Sequence, residues 1–237
     1  VDAGALHKCD AVTGTNKSDQ RRWSKVWFGF PHVGAGHKDE HRNVLANQLL
    51  ILRFLISVAP YLTEGPLPEA IQGRKRRAAS EDDEDDEEPI EAADDEPDVS
   101  ATSVPPRRQG SVLITIRNVV PYTLWNIPML GKRLRDVLQP IAASAPSPPK
   151  GIRAPTVSDV DKNGAQYVLW RSFEFVPSDW PGYSHRRTVG FVEGLSTSHN
   201  EDLLRRPTQP PQQGQPSGRH VGTGECRTYE LALQPVH

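Results

Sequence analysis

Apolar residues along this chain cluster in short patches, and the spacing within each patch predicts the element it forms. The run Val26 to Phe30 is dense, aromatic and closed by Pro31, which predicts a buried strand ending in a turn. From Asp39, a natural N-cap, Val44, Leu45, Gln48, Leu49, Leu52, Leu55, Ile56 and Ala59 recur at helical spacing to about Tyr61. Pro60 and Gly65 stop this helix, whose most apolar part, Leu49 to Ala59, is too short to span a bilayer and contains Arg53. Ser111 to Arg117 is rich in β-branched residues and suits a central strand. An amphipathic helix is expected over Met129 to Leu138, and strands over Tyr167 to Phe175, Thr188 to Val192 and Arg227 to Leu233.

Strands alternating with helices and then following one another predict an α/β fold, its sheet mostly parallel and finished by an antiparallel C-terminal hairpin. Between the patches, residues 65–109, 142–166 and 196–222 read as disordered insertions in a single domain. The 22 prolines gather largely there, with little apolar material to bury. The chain opens on Val1, and its first residues read like a strand end running into a loop, so it is expected to be the C-terminal part of its domain.

Charge changes the picture once its distribution is considered. The net charge is −2, but residues 81–98 carry 13 of the 30 acidic residues and no basic one. The rest of the chain therefore holds 17 acidic against 28 basic residues. A basic remainder suits a polyanion such as RNA, through phosphate contacts that are independent of sequence. Arg74 to Arg77 form a short basic run of the nuclear-localisation type. Cys9 and Cys226 stand at opposite ends and frame no disulfide scaffold or zinc site, while His32, His37 and His41 lack a clear fourth ligand, so no metal is expected.

In an open α/β sheet, ligands bind beyond the carboxyl ends of the strands. The stretches there are unusually rich in chemistry: Phe28-Gly29-Phe30-Pro31-His32, Asn118 to Trp125, and Trp180 to Thr188. No strand is followed by GxGxxG and a helix, so the usual dinucleotide turn is not visible.

The segments VDAGALHK (Val1 to Lys8), FGFPHVG (Phe28 to Gly34), RNVLANQLLILRFL (Arg42 to Leu55), the strand and PYTLWNI (Ser111 to Ile127), WPGYSHRRTVGFVEG (Trp180 to Gly194) and RTYEL (Arg227 to Leu231) follow one another in order. Together they resemble the fungal and plant ribosomal-RNA (uridine-N(3))-methyltransferases and span nearly all of the chain outside the insertions. Two positions depart from that family's pattern: Gly29 stands where asparagine is usual, and Val120 where an acidic residue is usual.

The resemblance implies a Rossmann-like methyltransferase that uses S-adenosyl-L-methionine and acts on a uridine of large-subunit rRNA, with rRNA or a pre-ribosome as partner, in the nucleus and nucleolus. No membrane association is expected. His32 is the candidate catalytic group, as base or orienting residue. Asp2, Ala3, Phe30 and Pro31 are the candidate cofactor contacts, in a site expected to be incomplete in this chain. Tyr122, Trp125 and Tyr183 are candidates to stack on the extruded base, with His185, Arg186 and Arg187 beside them, the arginines on phosphates. The alternative is a catalytically inactive RNA-binding or ribosome-assembly module derived from the same fold.

Overall fold

The computed structural model describes residues 2–14, 21–34, 39–67, 108–147, 151–186 and 225–234. A 3-10 turn, Leu6–Lys8, and a single helical turn, α1 (Asp10–Thr13), lead to strand β1 (Lys25–Gly29) and helix α2 (Glu40–Val58). Then come β2 (Ser111–Arg117), α3 (Ile127–Lys132), α4 (Leu134–Ser144), α5 (Val157–Asn163), β3 (Tyr167–Glu174) and β4 (Cys226–Leu233). The strands form one mixed sheet of order β1-β2-β4-β3. β1 and β2 pair in parallel, and β4 lies antiparallel to both β2 and β3. β1, β2 and β3 thus run the same way, and β4 alone is reversed between them. Loops leaving those three strands emerge at one end of the sheet, where ligands of α/β folds bind.

α2 is the helix the periodicity predicts. The Asp39 side chain caps it by accepting from the Arg42 amide at 2.7 Å, and the chain leaves it through a 3-10 turn containing Pro60. By length and composition Glu40–Tyr61 could cross a bilayer, but most of it is buried inside the protein. Ile51, Leu52, Leu55 and Val58 of α2 share one apolar core with Val112, Ile114 and Ile116 of β2, Leu231 and Leu233 of β4, and residues of α3, α4 and α5.

Three expectations need correction. β1 is an edge strand among the described residues, not a buried one: its exposure alternates, Val26 and Phe28 turning to the core while Trp27 stays 42% exposed. The single helix expected over Met129 to Leu138 is two, broken at Arg133. α3 lies against β3, β4 and α2, while α4 turns away from the sheet to pack on α2 and α5. At Gly131 a Cβ would meet the Leu231 methyls at 2.8 and 2.9 Å, so glycine permits this close approach. Within 142–166, α4 continues to Ser144 and α5 spans Val157–Asn163. α5 has a capping box, in which Asp159 accepts from the Thr156 amide at 2.7 Å and hydroxyl at 2.8 Å, and Val160 and Ala165 are buried.

Residues 68–107, the strand expected over Thr188 to Val192, and 196–222 lie outside the described residues. The ends of the first of these gaps meet. The Gly65 amide donates to Gln109 Oε1 at 2.9 Å, and the Gln109 amide to the Pro66 carbonyl at 3.1 Å.

Candidate functional site

The turn after β1 is built on an unusual backbone. Phe30 has φ +50°, a left-handed conformation costing a bulky residue about 1–3 kcal/mol unless its surroundings hold it. They do. Its amide donates to the Thr115 carbonyl at 2.8 Å, extending the β1–β2 ladder, and its ring sits edge-on to His185 (4.8 Å between centroids) and Phe175 (5.8 Å). Pro31 is buried, and His32 emerges at the surface.

The His32 ring accepts at Nδ1 from the Gly34 amide, 2.9 Å away. Partial burial lowers its pKa, which favours the neutral form, and an Nδ1 that accepts leaves the ring proton on Nε2. In this arrangement His32 offers an N–H donor rather than a free basic nitrogen, so orienting is the role its geometry favours.

From the loop after β2, Tyr122 lies 5.1 Å from Trp125 and carries the Arg117 guanidinium over its ring at 5.7 Å. Trp125 is 6.2 Å from His32. Its side chain is wholly buried, so it has no open face for a base, and the expectation that it stacks on one is corrected. It backs the site instead. Its indole Nε1 has no hydrogen-bond partner among the described residues.

The loop after β3 folds back over β4 toward β1. Phe175 is its buried anchor, with Tyr183 at 5.2 Å and Trp180 at 5.7 Å. Trp27 of β1 joins them, stacked on Trp180 at 5.8 Å and tilted against Phe175 at 5.6 Å. The Tyr183 hydroxyl and His185 Nδ1 share a hydrogen bond of 2.8 Å. Arg186 is exposed beyond them, and Arg187 lies outside the described residues. Cys226, at the start of β4, is buried, which pushes its thiol up to about 11 despite the nearby Arg117.

The structure thus brings Phe30, Pro31, His32, Tyr122, Tyr183 and His185 to one end of the sheet. Asp2 and Ala3 are placed elsewhere. Burial would raise the Asp2 pKa, but the Gly4 amide at 2.9 Å and Arg53 at 3.0 Å outweigh it and hold the carboxyl below its usual range. Arg53 lies six residues beyond Asn47 along α2, about 9 Å at helical rise, and Asn47 is where α2 meets the His32 turn. Asp2 lines a separate cleft of about 520 Å³, together with His7, Lys8, Arg53, Arg153 and Lys162. The Asp2 carboxylate is engaged by Arg53 and Ala3 packs on the core, so these two candidates stand apart from Phe30 and Pro31.

Sequence reasoning named Trp180 only as the start of a stretch rich in chemistry and did not single out Trp27 or Phe175, which pack with it here, and it counted Gln48 among apolar positions and ignored its neighbour Asn47. A polar side chain at a core position of a helix is itself a signal, because buried amides need partners.

Residues 1–187 match the BMT5-like family, described as rRNA (uridine-N3-)-methyltransferase BTM5-like. The 25S rRNA (uridine(2634)-N(3))-methyltransferase of Saccharomyces cerevisiae is 25% identical over 178 residues, which cover 73% of this chain and 40% of that protein. The chain therefore matches well under half the length of this curated relative. No solved structure matches it.

Proposed function

This chain belongs to the BMT5-like family of rRNA (uridine-N3-)-methyltransferases, and from that premise we propose that it is an S-adenosylmethionine-dependent enzyme methylating N3 of a uridine in large-subunit, 25S-type rRNA. The observation that carries the reading is the gathering, at one end of the sheet, of the loops that follow three co-directional strands, where Phe30 meets His185 and His32 meets Trp125.

Methylating N3 requires loss of the N3 proton, which passes to solvent water, and the negative charge that develops spreads onto the two carbonyl oxygens flanking N3. A positioned N–H donor at either oxygen stabilises that charge, and His32 Nε2–H is such a donor. Tyr122 and Tyr183 supply half-buried rings for a base taken out of its stack, while Arg186 and Arg187 act on the flanking phosphates. S-adenosylmethionine, which the family implies, supplies an electrophilic methyl group. Action on pre-ribosomal RNA puts the protein in the nucleolus.

The test is genetic. Disrupting the gene for this chain should remove N3-methyluridine from large-subunit rRNA, read by mass spectrometry of its nucleosides. An undiminished level, or loss from a different RNA only, would overturn the reading.

A further inference from the structure

Two adjacent amides in the first half of α2 each reach one loop of the site. Asn47 is 1% exposed and Gln48 8%, on a helix whose inward face is otherwise apolar. Asn47 Oδ1 accepts from the Val33 amide at 2.9 Å, and its Nδ2 donates to the Asn43 carbonyl and to Asn43 Oδ1, both at 2.9 Å. The Asn43 carbonyl can only accept, so it fixes which end of the Asn47 amide turns toward Val33. Gln48 Nε2 donates across to the carbonyls of Leu124, at 3.3 Å, and Trp125, at 3.4 Å. Successive helix positions point about 100° apart, so one turn of α2 addresses the loop after β1 and the loop after β2 separately.

Buried amides are a costly way to fill a core, since each is penalised if its partners are missing, and leucine has no such requirement. What an amide adds is direction. Val33 lies between His32 and Gly34, and Gly34 is the donor to His32 Nδ1, so the bond from Asn47 steadies the turn that selects the His32 tautomer. The bonds from Gln48 set how deeply Trp125 sits, and the His32 ring rests 6.2 Å from that indole.

We propose that Asn47 and Gln48 are positioning residues of the uridine-methylating site: Asn47 holds the His32–Gly34 turn so that Nδ1 stays bonded and Nε2 keeps the proton, and Gln48 holds the Trp125 backing in register with it. The purpose rests on the methyltransferase reading. The geometry does not.

Nuclear magnetic resonance on the whole chain tests it without cofactor or RNA, so a failed methyltransferase reading and a failed positioning role show separately. In the unaltered protein the ring nitrogens of His32 should report a bare Nδ1 and a protonated Nε2. Asn47→Leu should mix the two tautomers and speed hydrogen exchange at Val33 and Gly34 about tenfold, leaving the amides of Val112 to Ile116 unchanged. Gln48→Leu should shift the Trp125 indole resonance and leave the His32 tautomer alone. Asn43→Ala keeps the Asn43 carbonyl as a partner for the Asn47 amide nitrogen and leaves the acceptor for Val33 in place, so it should preserve the His32 signature. If the leucine variant does not fold, Asn47→Ser, too short to reach Val33, carries the same expectation. If that fails too, exchange of the Val33 amide in the unaltered protein decides: protection supports the bond, and exchange at the open-chain rate overturns it. An unchanged tautomer in the leucine or serine variant, or an equal disturbance in Asn43→Ala, overturns the proposal.

Discussion

The two faces of the sheet are built from alternate residues of the same strands, yet different chemistry holds them. On one face Val112, Ile114 and Ile116 of β2 and Leu231 and Leu233 of β4 are sealed beneath α2 and its neighbouring helices. On the other, Ser111, Thr115, Thr228 and Glu230 are just as buried, but they are polar, and each is satisfied by a side chain. Thr115 and Thr228 share a hydrogen bond of 2.7 Å, and Trp27 Nε1 donates to Thr115 at 2.8 Å. Glu230 accepts from Lys25, Ser111 and Arg171, each at 2.7 Å. The cover on this face consists of long side chains that keep one end in water: those of Lys25 and Arg171 are 50% and 53% exposed, and both cations lie near the Trp170 ring. Equal burial therefore conceals unequal dependence. The helix face rests on volume and apolar area, and the open face on pairing, and so on pH.

The largest effect expected from breaking this contrast is on the helix face. Ile114→Ala, at a wholly buried position in the centre of the core, should cost about 2–5 kcal/mol in chemical denaturation, by lost transfer energy and an unfilled cavity. A cost below about 1 kcal/mol would mean that the core collapses around the gap and is not tightly filled.

Glu230→Gln comes next, at about 1–3 kcal/mol, because the new amide hydrogens face donors on the cations while Lys25 and Arg171 can turn to water. Its distinguishing mark is the pH profile. Burial would raise the Glu230 pKa, but bonds from Lys25, Ser111 and Arg171 outweigh it and hold the carboxyl below its ordinary value of 4.5. A carboxylate whose folded pKa is depressed contributes stability that is present above the unfolded value and lost as pH falls through the folded one. The unaltered protein should therefore lose stability below about pH 4.5 more steeply than Glu230→Gln. Parallel acid profiles for the two proteins would remove Glu230 from the account of this face.

Legibility in the sequence followed the same divide. α2, β2 and β4 were readable because their apolar periodicity agrees with where they pack, and Asp39 announces its helix. β2 was read only as a β-branched run, although Ser111, Thr115 and Arg117 stand at alternate positions and mark the side where Ser111 and Thr115 meet polar partners. α5 was hidden by the prolines before it, although Thr156 and Asp159 spell a capping box. The break at Arg133 depends on two packing surfaces that no local pattern reveals. The rule that ligands gather beyond strand ends singled out Phe30, His32, Tyr183 and His185, which the fold brings to one end of the sheet. It could not tell that Trp125 turns inward, nor that Asp2 is engaged by Arg53, 51 residues away.

The smallest effect is expected where the open face meets the site. Gly29 ends β1 on the Trp27 side. It is not among the residues with left-handed backbone, so a side chain there meets no conformational penalty. The obstacle is Trp27, whose indole atoms lie 3.3 Å from where a Cβ would sit. On the helix face such a contact would be costly, because close-packed neighbours cannot yield. Here the indole is 42% exposed, held by one hydrogen bond to Thr115 and by stacking on Trp180, which is itself 39% exposed, so it can move a few tenths of an ångström toward solvent. Replacing a strand glycine also removes freedom from the unfolded chain, which favours folding by about 0.4–1 kcal/mol. The two contributions oppose each other, so Gly29→Asn should change stability by less than about 1 kcal/mol while shifting the tryptophan emission as Trp27 moves. A loss of about 3 kcal/mol or more would show that Trp27 is locked in place, and that the open face at this end of the sheet is as closely packed as the face beneath the helices.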